Sequence, residues 1–246
     1  MSDRPILYSA PMVRALLDGR KTQTRRVLKL PTKTASGGRI YERKDMGGWE
    51  PTINGGAGCF TIAKDGTRVA APETVGIWHR TTGVCMDAPY QVGDRLWVRE
   101  TWTARMTHGW TIADARSGMY QQEILYRADG HHSIDGWWPS IFLPREFSRL
   151  TQTVTEVRVQ RVQDISEADA VAEGCFKGRA TGRVFENVTA MRLGGDEWAT
   201  ARDWYADLWD RLNARRGFGW DANPWVVAVT ATTHLQNIDA IGAEAA

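Results

Sequence analysis

The sequence predicts an α+β fold, a small barrel of short strands with two or three helices set among them. Three observations lead there. Short β-rich runs recur along the whole chain, at 5–8, 21–28, 93–100, 123–127, 150–163 and 225–229. Apolar residues fall at helical spacing in only a few places between those runs. No internal repeat divides the chain.

Pro5-Ile6-Leu7-Tyr8 reads as a short strand. Ser9 offers an N-cap, with Pro11 in the first turn, where a missing N–H costs nothing. Met12, Val13, Leu16 and Leu17 then give one apolar helix face, and Gly19 supplies a stop. Lys21 to Leu28 is extended, with alternating character. Residues 31–92 are rich in Gly, Thr, Lys and Asp, with Gly-Gly pairs at 37–38, 47–48 and 55–56. They leave room for short β-hairpins but carry no long periodic element, so they read as an insertion. Gly93-Asp94 turns into a strand through Glu100, and a second strand is expected at 123–127. Val154, Val157, Val159 and Val162 mark a long β stretch with one break in alternation, the pattern of a bulge. Ser166 with Asp169 three residues on resembles a capping pair for a helix that runs to about Glu173 and ends at Gly174. Residues 196–213 place Trp198, Ala201, Tyr205, Leu208, Trp209 and Leu212 at helical spacing. Asn223-Pro224 opens a closing strand over 225–229, and the Ala-rich tail from Leu235 is weakly specified.

A length of 246 residues suits one large domain or a small barrel with long insertions. Apolar residues at 42% supply a proper core, and charged residues at 24% are ordinary for a soluble protein. A net charge of +2 is too mild to imply nucleic-acid binding by itself. The twelve tryptophans mean aromatic packing, with some rings free to stack on a base or sugar. No apolar run approaches the ~20 residues of a membrane span, and the start of the chain does not read as a signal peptide. Cys59, Cys85 and Cys175 form no CxxC pair, so neither a disulfide framework nor a zinc knuckle is indicated, and a reducing cytoplasm is the expected setting. The five histidines read as non-ligands; no metal and no cofactor are expected.

The sharpest feature is Gly19-Arg20-Lys21-Thr22-Gln23-Thr24-Arg25-Arg26. Between positions 14 and 33 there are seven basic residues and one acid, Asp18. One reading is a solvated, charged strand edge that deters edge pairing. The other is a strip that faces an anion or nucleic acid. Lys21 and Thr24 suggest something narrower. A hydroxyl needs a base beside it to become a nucleophile, and a lysine serves only when desolvated or crowded by cations. Spacing of three residues puts the two on opposite faces of an ideal strand, so they meet only where the chain bends around Lys21. A carboxylate would have to hold the ammonium; Glu100, Glu156, Glu167, Asp169 and Glu173 are the candidates.

Leu16 through Arg26 resembles the opening signature of ASCH domains, in which a helix ends in Gly-(Arg/Lys)-Lys-Thr-x-Thr. Val92 through Trp102 is similar to that family's Gly-Asp strand, Ile165-Ser166-Glu167 through Glu173-Gly174 to its later helix, and Pro224 through Val229 to its last strand. The four blocks come in the family's order, and the resemblance that they anchor takes in roughly half the chain. Longer members with a Ser-Ala-Pro-Met start, an Arg-Glu-Thr-Trp segment and an Asn-Pro-Trp-Val end are common in phage and prophage genomes. The resemblance implies a PUA-like barrel over 1–246, with additions at about 31–92, 103–121 and 175–195 that the compact members lack. In small amidohydrolase members that act on N4-acetylcytidine it implies catalysis by the residues matching Lys21, Thr24 and Glu173. Thr24 would attack the acyl carbonyl, Lys21 would take its proton, and Glu173 would orient Lys21 or protonate the leaving amine. Tyr8, Arg26, Trp97 and Glu100 are the expected substrate contacts. The implied partner is a modified cytidine nucleoside or base, or RNA. Two other readings stand beside this one: a non-catalytic RNA or modified-base binding module, and a phage accessory protein that uses the barrel as a scaffold.

Overall fold

The computed structural model describes residues 2–40, 48–104, 111–116, 124–130 and 136–241. Strand β1 (Asp3–Leu7) leads into helix α1 (Ala10–Leu17) and β2 (Gln23–Val27). Strand β3 (Trp49–Asn54), the hairpin β4 (Phe60–Ile62) with β5 (Arg68–Ala70), then β6 (Thr74–His79) and β7 (Cys85–Asp87) follow. Next come β8 (Arg95–Arg99), β9 (Trp102–Ala104), α2 (Ile112–Arg116), β10 (Ile124–Tyr126) and β11 (Thr151–Arg161). The rest holds α3 (Glu167–Ala172), β12 (Phe176–Lys177), β13 (Val184–Phe185), α4 (Val188–Leu193), β14 (Glu197–Trp198), α5 (Ala201–Asn213) and β15 (Trp225–His234). The fold is α+β, dominated by sheets. No helix among the described residues is long and apolar enough to cross a membrane.

The central sheet runs β1-β8-β11-β15-β2, antiparallel except for β1 against β8. The break in alternation is a register shift between Val154 and Glu156, where β11 carries one residue more than β15. Such a bulge increases local twist. Alternation on β15 serves two cores. Val227 and Val229 join Ile6, Val13, Leu16, Leu96 and Val98 on one face. Val226 packs on the other face with Val162, Ile165, Trp204, Tyr205 and Trp209, beneath α3 and α5.

The expected barrel is not closed by strand pairing among the described residues; β1 and β2 remain the two edges. The sheet coils until those edges approach. Arg26 Nη2 on β2 donates to the Leu7 carbonyl at the end of β1, 2.5 Å away, and its guanidinium lies 5.3 Å from the Tyr8 ring centre. Bulky side chains occupy the gap that a backbone ladder would need.

Other expectations also change. Within 31–92, β3, β6 and β7 form a three-stranded sheet, and Trp49 and Ile77 are buried in the main core. Residues 41–47 of that stretch, and much of 103–121, lie outside the described residues. Residues 197–198 form strand β14 rather than helix; α5 starts only after Thr200, whose hydroxyl accepts from Asp203 N–H. The segment 175–195 buries Val184 against α5. Leu17 is 36% exposed, whereas Ala15 joins the buried face of α1. The tail is tied down through position 239: Asn237 donates to the Arg145 and Ser148 carbonyls, Asp239 pairs with Arg145, and Ile238 is fully buried. Side chains unlike those of the tail's alanines do this work.

Ile77 tests whether the 31–92 segment is integral. Ile77→Ala removes buried volume shared with the main core, and it should lower stability by about 2–5 kcal/mol. A urea unfolding midpoint unchanged from the parent would mean that the segment is a separable appendage.

Candidate functional site

The site begins at the turn between α1 and β2. Arg20 N–H and Lys21 N–H both donate to the Ala15 carbonyl, wrapping the chain back over the helix end, and Gly19 supplies a φ of 68°. Thr22 then ties three elements together: its N–H donates to Ala172 O at the end of α3, and its carbonyl accepts from Ala231 N–H on β15. Gly174, at φ 111°, lets the chain leaving α3 pass this turn. A Cβ there would stand 3.0 Å from Lys21 Cβ and from Ala15 Cβ. These contacts turn Lys21 inward, leaving it 2% exposed.

Buried charge is then matched group by group. Lys21 Nζ donates to Glu173 Oε2 at 2.7 Å, to the Glu173 carbonyl at 3.1 Å and to the Gln23 carbonyl at 2.8 Å. All three ammonium hydrogens are occupied. Arg25 Nη1 donates to Glu173 Oε1 at 3.0 Å, and Arg25 Nη2 to Asp169 Oδ2 at 3.0 Å. Gln23 and Arg158 complete the shell around Asp169. Tyr205 on α5 lines the same cavity as Glu173, and its ring centre lies 5.9 Å from the Arg25 guanidinium. Burial pushes the Lys21 ammonium below its ordinary 10.5; Glu173 opposes this, while the Arg26 and Arg25 charges add to it. For Asp169, burial would raise the carboxyl, but the Gln23 amide and the Arg158 and Arg25 charges outweigh it and hold it below 3.8.

The other face of β2 carries Thr24 and Arg26 toward Tyr8. The Tyr8 hydroxyl donates to Gln152 Oε1 at 2.9 Å, and its ring centre lies 5.7 Å from Lys21 Nζ. Burial drives the phenol well above its usual value, against the Arg26 charge and the Thr24 hydroxyl beside it. A cavity of about 560 Å³ opens here between the end of β1, β2 and α5, within the size range of small-molecule sites. Tyr8, Thr24, Arg25, Arg26 and Glu173 line it on the polar side; Leu208, Trp209 and Leu212 face them from α5.

Of the expected site residues, Lys21 and Glu173 are bonded directly, and Thr24, Tyr8 and Arg26 share their neighbourhood. No direct hydrogen bond joins Lys21 Nζ to Thr24 Oγ1; the amine lies behind the cavity wall rather than on it. Trp97 and Glu100 sit elsewhere. The Trp97 ring is stacked 4.5 Å from the Arg99 guanidinium. Glu100 is buried against Arg149, which also binds Asp129; burial raises its carboxyl, and Arg149 opposes the shift. Neither residue lines the cavity. Glu156 stays at the surface with Arg158, and Glu167 accepts from the first N–H groups of α5.

The basic segment divides: Arg14, Lys29 and Lys33 are exposed and Arg20 and Arg26 half-exposed, whereas Lys21 and Arg25 are buried. Lys21 and Arg25 are not solvated and face no outside partner, because internal carboxylates neutralise them. Sequence reasoning missed the roles of Arg25 and Tyr205. A signal for the first was present: Asp169 and Glu173, four apart on one helix face, oppose Gln23 and Arg25 on one strand face. Tyr205 looked like any apolar position of α5. Among the described residues no group of three or more His, Cys, Asp or Glu side chains is arranged to hold a metal ion; His108, His131 and His132 lie outside them. No family model, no curated protein and no solved structure matches the chain.

Gly174→Ala should cost about 1–3 kcal/mol, since its φ disfavours a side chain and the added methyl presses on Lys21. Thermal unfolding equal to that of the parent would show that the close approach is not constraining. A second prediction concerns acid. Asp169 binds its proton more weakly folded than unfolded, so it stabilises the fold above about 3.8 and loses that contribution as pH falls through its lower folded value. Asp169→Asn should therefore flatten the acid limb of a stability–pH curve, and an unchanged slope would count against the pairing.

Proposed function

We propose that this protein is a PUA-like, ASCH-type amidohydrolase acting on N4-acylated cytidine or cytosine in the cytoplasm. The observation that carries the reading is a buried lysine–glutamate pair whose glutamate shares with Thr24 the wall of a cavity of about 560 Å³. Arg25 matters as much as the pair itself. With Arg25 on its other oxygen, Glu173 keeps a cationic partner when Lys21 is neutral, so deprotonating the lysine leaves no orphaned buried anion. Exposed, free Cys59 and Cys85 suit a reducing compartment.

In this reading neutral Lys21 releases one of its three acceptors and turns its lone pair toward Thr24. Thr24 Oγ1 forms a bond to the acyl carbon, and its proton passes to Lys21 Nζ. The carbon–nitrogen bond then breaks, the cytosine amine takes the proton back from Lys21, and water hydrolyses the threonine ester to the free acid. Glu173 holds the lysine in place throughout.

Thr24→Ala should abolish release of cytidine from N4-acetylcytidine, whereas Thr24→Ser should retain it. Loss of Lys21 as a base should cost on the order of 10²–10⁴ in rate. Because Lys21 works as the neutral amine, the wild-type rate should rise with pH through a value below 10.5. Full activity in a folded Thr24→Ala or Lys21→Met protein would exclude the mechanism. Absence of turnover on acetyl and larger acyl substrates, with nucleoside binding retained, would leave a binding module instead.

A further inference from the structure

Three arginines, Arg25, Arg26 and Arg216, line the cavity against a single carboxylate, Glu173. Lys21 and Arg25 already occupy that carboxylate, and Arg25 is shared with Asp169. The other two arginines have no acidic partner among the described residues. Arg26 reaches the Leu7 carbonyl and the face of Tyr8, and its buried Nε has no acceptor. Arg216, exposed at the rim, reaches the Asn213 amide oxygen at 3.3 Å. Ser9 lies on the same wall, and its hydroxyl makes no capping bond to α1. In a chain of net charge +2, this is a local excess of cationic donors within one concavity. Guanidinium forks match the paired oxygens of a phosphate, and their attraction strengthens where walls exclude water. Across from them, Leu208 and Trp209 offer an apolar face suited to a flat ring.

We propose that the cavity takes a nucleoside monophosphate rather than an uncharged nucleoside. The phosphate sits with Arg26, Arg216 and Ser9, and the base lies against the α5 wall beside Thr24. The inference deepens the reading above and rests on it for the identity of the base alone. The donors converge on one cavity instead of following a track across the surface, which favours a single phosphate over a strand.

Calorimetric titration with cytidine 5′-monophosphate and with cytidine tests it without turnover. The nucleotide should bind about tenfold tighter or better, the worth of one charge-assisted hydrogen bond. That advantage should shrink as salt is raised. Arg216→Gln should bring the ratio of the two affinities toward one. Equal affinities in the parent protein, or a nucleotide preference untouched by Arg216→Gln, would overturn the proposal. So would inorganic phosphate binding as tightly as the nucleotide, since the base would then contribute nothing, or a short cytidine-containing RNA binding more tightly than the nucleotide. Failure to hydrolyse acylated cytidine would sink the amidohydrolase reading and leave these titrations standing.

Discussion

A lysine ammonium and a glutamate carboxylate, both almost wholly removed from water, are held 2.7 Å apart at the point where α1, α3, β2 and β15 come together. Taking two such charges out of water costs several kcal/mol per ion, and their mutual attraction offsets that only when the remaining donors and acceptors are satisfied. Here they are. The two carbonyls that Lys21 binds and the second Glu173 oxygen on Arg25 complete the shell of the pair, and Arg25 Nε is the one buried donor of these three side chains left without a partner. Much of the surrounding backbone serves this arrangement: the doubled bond onto Ala15, the Thr22 bridge and the glycine at 174 all bring the lysine to the end of α3.

The unpaired seam of the central sheet is the second constraint. A ladder between β1 and β2 would satisfy their backbone groups and fill the space between them. Instead Tyr8 and Arg26 stand in the gap, and the cavity opens beside them. Elements that read as decoration support this geometry. The sheet formed by β3, β6 and β7 backs the main core through Trp49 and Ile77, and α5 supplies the facing wall of the cavity. The division of labour on β2 follows from simple alternation: Gln23 and Arg25 face the buried acids, Thr24 and Arg26 face Tyr8.

Legibility in the sequence followed the range of the interaction. The Ser166–Asp169 cap, the stop at Gly19 and the bulge near position 155 were readable because each is decided within a few residues. Lys21, Thr24 and Glu173 were named as a set through the resemblance of their motifs, and of the four expected substrate contacts Tyr8 and Arg26 lie with Thr24 and Glu173 along one cavity. Trp97 and Glu100 belong to a different neighbourhood: the first lies beneath Arg99, the second is bound by Arg149. Helical spacing at 196–213 overreached by several residues, because Trp198 pairs in a small sheet with Val184, a partner that periodicity does not reveal.

By itself the sequence determined the order and kind of the main elements and the chemical types available at the α1–β2 turn, since caps, stops and alternation act through near neighbours along the chain. Tertiary structure alone decided what becomes of the charges. Seven basic residues in twenty look like a solvated strip until Glu173 and Asp169, some 150 positions later in the chain, arrive to neutralise two of them. Whether a lysine lies in water or inside the protein depends on which distant carboxylate packs against it, and loop closure over such separations is settled by the whole fold rather than by any local pattern.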